Sequence, residues 1–279
     1  MLQWSGLPAP KAGVRVEGTE QSMALEVLLD PRIDQGTEEE AGRPLTTDSL
    51  VVIPTYNELE NIGQLLPRVL ANPRLSVLVV DDGSPDRTGD LVAAVVAGDP
   101  RVHLLRRSGK QGLGTAYLAG FRYALDRGAA YIFEMDADFS HDPGYLPDLL
   151  HAAETQYDLV IGSRYVPGGG TTDWGLTRRM ISQGGNLYAR MILGLAVADL
   201  TGGFRCYRAR ALRALNLSEI KSNGYSFQIE MAYRVHQAGM RVGEVPIVFP
   251  DRRVGASKMS KNIVGEALIN VVKLRLGRL

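Results

Sequence analysis

The chain has 279 residues and 45% apolar content, enough for one large domain or two small ones around a sizeable core. Its 31 basic and 31 acidic residues cancel, which argues against general nucleic-acid binding. Its one cysteine, Cys206, excludes an intramolecular disulfide and reads as an inert buried residue of a protein in the reducing cytosol.

No apolar run approaches the ~20 residues that span a bilayer, and the N-terminus lacks a signal peptide's basic-then-apolar pattern. The charges are unevenly placed. Residues 1–48 carry nine acids against Lys11, Arg15, Arg32 and Arg43, while residues 252–279 carry seven bases against Glu266 alone. Solvated surface, or two different surroundings, explains the two ends equally well.

Residues 1–48 read as an acidic, disordered tail, since "GTEEEAGRP" has no period. Met23 to Leu29 could form a short helix, and Met23 could be the start codon. From Ser49 the texture changes. Leu50–Ile53 is a short apolar run that reads as a buried strand, and Ile62, Leu65, Leu66, Val69 and Leu70 recur at helical spacing. A second strand at 76–80, a helix through 91–97, a third strand at 102–105 and a helix from 115 to 127 follow. A fourth strand at 130–135, a helix from 145 to 153 and a fifth strand at 159–161 continue the alternation. This pattern predicts an α/β domain over 49–256, with a mostly parallel sheet covered by helices on both faces. Such sheets bind ligands at the carboxyl ends of their strands. That edge should gather Pro54–Glu58, Asp81–Ser84, Asp136–Asp138 and Gly162–Arg164.

Each cluster has a bland and a chemical reading. "VVDDGSPDRT" is a turn, or a carboxylate pair that accepts hydrogen bonds from a nucleoside. No G-x-G-x-x-G follows the first strand, so a dinucleotide loop is not expected. Asp136-x-Asp138, in extended chain after "YIFEM", can offer one hard cation two oxygens. Asp142 with Pro143 reads as a helix cap, and His141 receives no catalytic role. "SGKQGLGTAY" is either a glycine-rich turn or a helix N-terminus that favours an anion, with Lys110 adding charge. Arg164, Arg178, Arg179, Arg205, Arg252 and Arg253 are phosphate-matching forks or solvated surface; Arg164 stands out because it follows the fifth strand.

Taken in order, "VVIPTYNELENI", "VLVVDDGSPDRT", "GKQGLGTAY", "MDADFSHDP", "GSRYVPGGG", "WGLTRRMIS", "DLTGGFRCYR", "NGYSFQIEM" and "GEVPIVFPDRRVGASKM" resemble the polyprenol- and dolichol-phosphate mannose synthases. These belong to the inverting, GT-A-fold glycosyltransferases of family two. The resemblance runs from about Leu50 to Lys273. It implies transfer of mannose from GDP-mannose to a polyprenyl monophosphate, giving a β-linked product. On matching positions, Pro54, Tyr56, Glu58, Asp81, Asp82 and Lys110 would hold the nucleotide, and Gln228 and Glu230 would face the sugar. Asp136 and Asp138, with Ser140 as a weaker third ligand, would bind Mg²⁺ or Mn²⁺. Arg164, Arg178, Ser182, Arg252 and Lys258 would meet the acceptor phosphate. The catalytic weight would fall on Asp138, Arg164 and Arg178, without a general base. Relatives often read "SRGAN" where this chain has Ser182-Gln183-Gly184-Gly185-Asn186, which removes one basic residue beside the acceptor. UDP-glucose as donor and an inactive nucleotide-binding scaffold are the competing readings. A pyrophosphorylase would want a glycine-rich loop after strand one.

A lipid acceptor implies docking at the cytoplasmic face of a membrane. Residues 257–279 read as a basic amphipathic helix, with Met259, Ile263, Val264, Ala267, Leu268, Val271 and Leu274 near helical spacing. Packing on the sheet is its other reading. Residues 176–195, with Met180, Ile181, Leu187, Met191, Ile192 and Leu193, are a second candidate. The resemblance also implies a separate integral-membrane partner protein.

Overall fold

The structure, a computed structural model, describes residues 44–250 and 261–277, and the side chains of the second stretch from Leu268 onward. The expectations for the acidic head up to residue 43, for Arg252, Lys258 and Met259, and for the side chains of Ile263, Val264 and Ala267 lie outside the described residues.

The first half alternates as the sequence predicts. Strands β1 (Ser49–Thr55), β2 (Leu75–Asp81), β3 (Val102–Arg106), β4 (Tyr131–Glu134) and β5 (Leu159–Ser163) are separated by α1 (Leu59–Leu70), α2 (Thr88–Gly98), α3 (Leu113–Asp126) and α4 (Leu146–Thr155). Then come β6 (Gly170–Thr171), α5 (Leu176–Leu193), β7 (Arg205–Arg208), α6 (Ala209–Arg213), α7 (Gly224–Gln237), β8 (Val242–Pro246), β9 (Val248–Phe249) and α8 (Lys261–Arg275). The main sheet has seven strands in the order β3-β2-β1-β4-β7-β5-β8, and β6 pairs with β9 in a small parallel sheet.

The central strands are apolar throughout because both faces are covered. Along β1, Leu50 and Val52 enter one core while Val51 and Ile53 enter the other. Helix α3 lies so close to β1 that a Cβ on Gly120 would sit 2.3 Å from Val52 Cγ1. Only a glycine permits that approach.

The strand-and-helix alternation breaks at β7. This strand is antiparallel to both β4 and β5, with Glu134 opposite Arg205 and Tyr131 opposite Arg208. Its N-terminal end therefore lies at the edge where its parallel neighbours have their carboxyl ends, and the segment before it, residues 199–204, enters the ligand-binding edge.

Arg205, which the sequence groups with surface arginines, is fully buried. Its Nε donates to Gly202 O at 2.7 Å, Nη2 to Leu200 O at 2.8 Å and Nη1 to Gln228 O at 2.8 Å. Opposite it, the buried Glu134 carboxylate accepts from Tyr207 Oη at 2.8 Å and from Gln228 Nε2 at 2.6 Å. Burial pushes the Glu134 carboxyl up to about 7, against the opposing pull of the Arg205 charge.

That shift makes stability depend on pH. The unfolded chain releases the Glu134 proton near the ordinary carboxylate value, whereas the folded chain holds it until about 7. Between these values the folded state binds more protons, so stability falls as pH rises through that window, by up to about 3 kcal/mol. Urea unfolding at pH 5 and at pH 7.5 measures the fall, and Glu134→Gln should remove that component. An equal pH slope in the wild type and the variant would refute the assignment.

Candidate active site

The ends of β1, β2, β4 and β5 and the start of β7 meet along one edge of the sheet. Two chemically distinct halves lie there, one acidic and one basic.

The acidic half begins at the β1–β2 end. The Asp81 carboxylate accepts from Thr55 Oγ1 at 2.9 Å, from Ser84 Oγ at 2.5 Å and from Ser84 N at 3.1 Å. It braces the two strand ends and the turn after them, from a position that is almost wholly buried. Asp82 is tied across to β3: Arg107 Nε lies 2.8 Å from Asp82 Oδ1 as an ion pair, and Arg107 Nη2 also donates to Thr115 Oγ1 at 3.0 Å. Burial raises the Asp82 carboxyl above the usual range, although Arg107 opposes the shift. Sequence reasoning passed over Arg107 because one arginine in a loop carries no pattern. Tyr56 stands exposed at the mouth with the Lys110 ammonium 4.5 Å from its ring centroid, a cation–π contact across the cleft. Pro54 is the sixth residue of β1, half-buried, and Glu58 Oε2 accepts from Asn61 Nδ2 at 2.7 Å at the start of α1.

The D-x-D segment leaves β4 as a tight loop. Asp136 Oδ1 accepts from the buried Tyr117 hydroxyl at 2.9 Å, and its backbone N–H donates to His141 Nδ1 at 2.9 Å. Asp138 Oδ1 accepts from Ser140 N at 3.1 Å and Ser140 Oγ at 2.5 Å, around a left-handed Phe139 with φ of 59°. The Ser140 hydroxyl, expected as a weak metal ligand, is thus engaged in orienting Asp138. His141 is buried, stacked on Phe204 with centroids 4.9 Å apart, and anchors the loop from below. Asp142 caps the following turn by accepting from Gly144 N at 2.9 Å.

Gln228 and Glu230, expected together, face different ways. Gln228 points to the sheet edge and Glu134, and its Oε1 is buried without a hydrogen-bond partner. Glu230 lies on another side of α7, lining a small cavity with Ser222, Ser226 and Asn270, and accepts from Arg234 Nε at 2.7 Å. Two residues along a helix turn a side chain by roughly 200°, so the pair cannot share one target.

The basic half is organised by Arg164. Its Nε and Nη2 form a fork on Asp199 at 2.7 and 2.6 Å, and Nη2 also donates to Thr201 Oγ1 at 2.9 Å. Burial works against its charge, but Asp199 more than offsets this and raises the guanidinium pKa above its ordinary value. Glu244 on β8 accepts from the backbone N–H of Ala198 and Asp199 at 2.7 and 2.9 Å, which fixes the Asp199 loop. Arg178, Ser182 and Asn186 recur every four residues along α5 and share one face. Ser182 Oγ accepts from Tyr165 Oη at 2.7 Å, and Asn186 Nδ2 donates to Thr201 Oγ1 at 3.1 Å. The Arg178 guanidinium carbon lies 3.9 Å from the Trp174 ring centroid. Asp199, Thr201, Tyr165 and Trp174 carry no pattern that marks them in the sequence. An acid opposite the fork of a buried arginine was the missing signal, and it is visible only when β7 is placed.

Among the described residues, no group of three His, Cys, Asp or Glu side chains could hold a metal ion by itself. Asp136 and Asp138 offer a pair of hard oxygen donors, which fits a cation that takes its other ligands from phosphate and water.

The family described as Glycosyl transferase family 2 matches residues 50–215. An undecaprenyl-phosphate mannosyltransferase of Micrococcus luteus is 53% identical over 225 residues, 80% of this chain and 92% of the relative. A polyprenol monophosphomannose synthase of Mycolicibacterium smegmatis is 47% identical over 244 residues, 86% of this chain and 92% of the relative. The fold resembles glucosyl-3-phosphoglycerate synthase of Mycobacterium tuberculosis, solved with Mn²⁺, UDP and glucosyl-3-phosphoglycerate, at TM-score 0.57 and 19% identity over 86% of this chain and 81% of that one. It also resembles the mannosyltransferase PcManGT of Pyrobaculum calidifontis, solved with GDP-Man and Mn²⁺, at TM-score 0.53 and 15% identity over 92% of this chain and 76% of that one. The family match, the two curated relatives and a mostly parallel sheet flanked by helices together make this chain a member of glycosyltransferase family 2 with the GT-A fold.

Proposed function

We propose that this protein transfers mannose from GDP-mannose to a polyprenyl monophosphate, with inversion at the anomeric carbon. The observation that carries this reading is an acidic D-x-D loop and an arginine pair, Arg164 buried and Arg178 half-buried, at one sheet edge. An acceptor without an anionic group would have no use for two arginines opposite the donor. The names of the two curated relatives support the acceptor class, and the GDP-Man complex of PcManGT is consistent with the donor.

Asp136 and Asp138 would hold Mg²⁺ or Mn²⁺, which when bound neutralises negative charge gathering on the departing diphosphate. Tyr117 and Ser140 keep the two carboxylates aimed. Tyr56, Asp82 and Lys110 would receive the nucleotide, and Gln228 Oε1, buried without a partner, would accept from a mannose hydroxyl. Pro54, Glu58 and Asp81 shape that pocket from behind. Arg178, Ser182 and the Nη1 side of Arg164, which Asp199 and Thr201 leave open, would take the acceptor phosphate. A phosphate oxygen forms the new bond to the anomeric carbon as the bond to GDP breaks, and the electron pair leaves with the diphosphate. The acceptor is already an anion near neutral pH, so no general base is required. Positioning and charge stabilisation carry the rate.

Docking at a membrane surface follows from the acceptor's lipid tail. Among the described residues no helix is long and apolar enough to cross a membrane. Helix α5 turns its polar stripe inward, while Leu176, Met180, Leu187 and Met191 are exposed on its other side. Helix α8 packs beside it, with Tyr188 Oη donating to Leu268 O at 3.2 Å, and exposes Ile269 and Val272, with exposed Leu276 in the turn just after it. We assign this apolar face to the lipid headgroup–acyl boundary, with Lys273 and Arg275 toward anionic headgroups.

Two outcomes test this reading. Asp138→Asn should lower mannosyl transfer from GDP-mannose on the order of a hundredfold, as should a chelator with the wild type. Organic-extractable label measures the transfer, and NMR of the product should show a β linkage; chelator-insensitive transfer would remove the metal from the scheme. Met180→Asp with Met191→Asp should weaken flotation with anionic liposomes and spare turnover of a short-chain, water-soluble prenyl phosphate. Undiminished flotation would place the lipid surface elsewhere.

A further inference from the structure

The acceptor arginines and the D-x-D loop come from distant parts of the chain, yet transfer requires them at a fixed separation. One line of rings connects them. The Arg178 guanidinium carbon lies 3.9 Å from the Trp174 centroid, and that of Arg164 lies 5.3 Å from the same centroid. Trp174 meets Phe249 edge-on at 5.7 Å and 83°. Phe249 in turn meets His141 edge-on at 5.6 Å and 70°. His141 accepts the backbone N–H of Asp136 at 2.9 Å. Trp174 is 9% exposed and His141 2%, so the inner part of the line is held by packing on most sides.

The small β6–β9 sheet explains why the rings meet. Strand β9 carries Phe249, and β6 leads within three residues to Trp174; pairing Thr171 with Phe249 brings the two segments together. The Arg178 turn of α5 begins immediately after Trp174. A tryptophan face is the strongest of the side-chain platforms for a guanidinium, and edge-to-face contacts are directional. The arrangement is therefore stiffer than aliphatic packing of the same volume.

We propose that Trp174 is a positioning residue for the acceptor phosphate. It holds Arg178 and Arg164 in one frame and, through Phe249 and His141, fixes that frame against the loop bearing Asp136. The proposal rests on the reading that Arg178 meets the acceptor phosphate. Kinetics with GDP-mannose and a polyprenyl phosphate in detergent, on the full chain, separate the two.

Trp174→Phe should raise the acceptor KM about threefold and Trp174→Leu about tenfold, in the order of platform strength. The KM for GDP-mannose should stay within about twofold, because no donor contact is touched. Arg178→Gln should raise the acceptor KM at least as much, and adding Trp174→Leu to it should cost less than the sum of the two single changes, since they share one contact while Arg164 remains. GDP-mannose binding by calorimetry shows that each variant is folded; if Trp174→Leu fails this check, the Trp174→Phe comparison alone decides. A raised acceptor KM in Arg178→Gln with unchanged values in the Trp174 variants overturns the proposal and leaves the phosphate reading standing. An unchanged acceptor KM in Arg178→Gln overturns both.

Discussion

The active edge depends on one buried guanidinium. Arg205 has no solvent to satisfy it, so its donors close on the carbonyls of Leu200, Gly202 and Gln228. Those carbonyls belong to two segments with separate tasks. Leu200 and Gly202 alternate with Asp199 and Thr201 in the loop that grips Arg164, and Gln228 lies in the buried part of α7. Across the strand pair, Glu134 completes the arrangement two residues before the D-x-D loop begins. Removing such a group would leave three buried carbonyl acceptors unpaired, a loss of several kcal/mol, and would take away the charge that opposes the upward shift of Glu134. The antiparallel insertion of β7 is what permits all of this, because a parallel strand in that place would deliver its first residue to the opposite edge.

The first half of the fold was legible in the sequence because each strand there is a continuous apolar run between polar turns. Leu50–Ile53, Ser76–Val80 and Leu159–Ile161 need no partner to be recognised. Strand β7 reads Arg-Cys-Tyr-Arg, short and charged at both ends, and nothing local distinguishes it from a loop. Its assignment comes from the sheet, where the charge of Arg205 meets Glu134 and backbone carbonyls instead of water.

The candidate site was legible in its acidic and arginine residues and obscure in what orients them. Asp136, Asp138, Arg164 and Arg178 are conspicuous by type and position. Tyr117, Asp199, Glu244 and Trp174 are ordinary residues whose significance lies in long-range contacts, such as the 46-residue step from Ala198 to Glu244. Glu230 shows the converse. The family resemblance gave it and Gln228 a shared target, and helical geometry turns the two side chains apart. The Asp81 carboxylate accepts from Thr55 and Ser84 at the strand ends, while Tyr56 and Lys110 meet at the exposed surface beside it.

Helix α5 buries Asn186, Ala189 and Leu193 toward the protein, holds Arg178 and Ser182 half-buried beside them, and leaves Leu176, Met180, Leu187 and Met191 exposed on its opposite side. On the proposed reading, only the phosphate crosses this helix, and the hydrocarbon tail never leaves the bilayer. Such an enzyme measures a headgroup and is blind to what hangs from it. Lipids of very different length become equivalent substrates, sorted by which of them a given membrane happens to contain, and the product departs sideways within the leaflet without entering water.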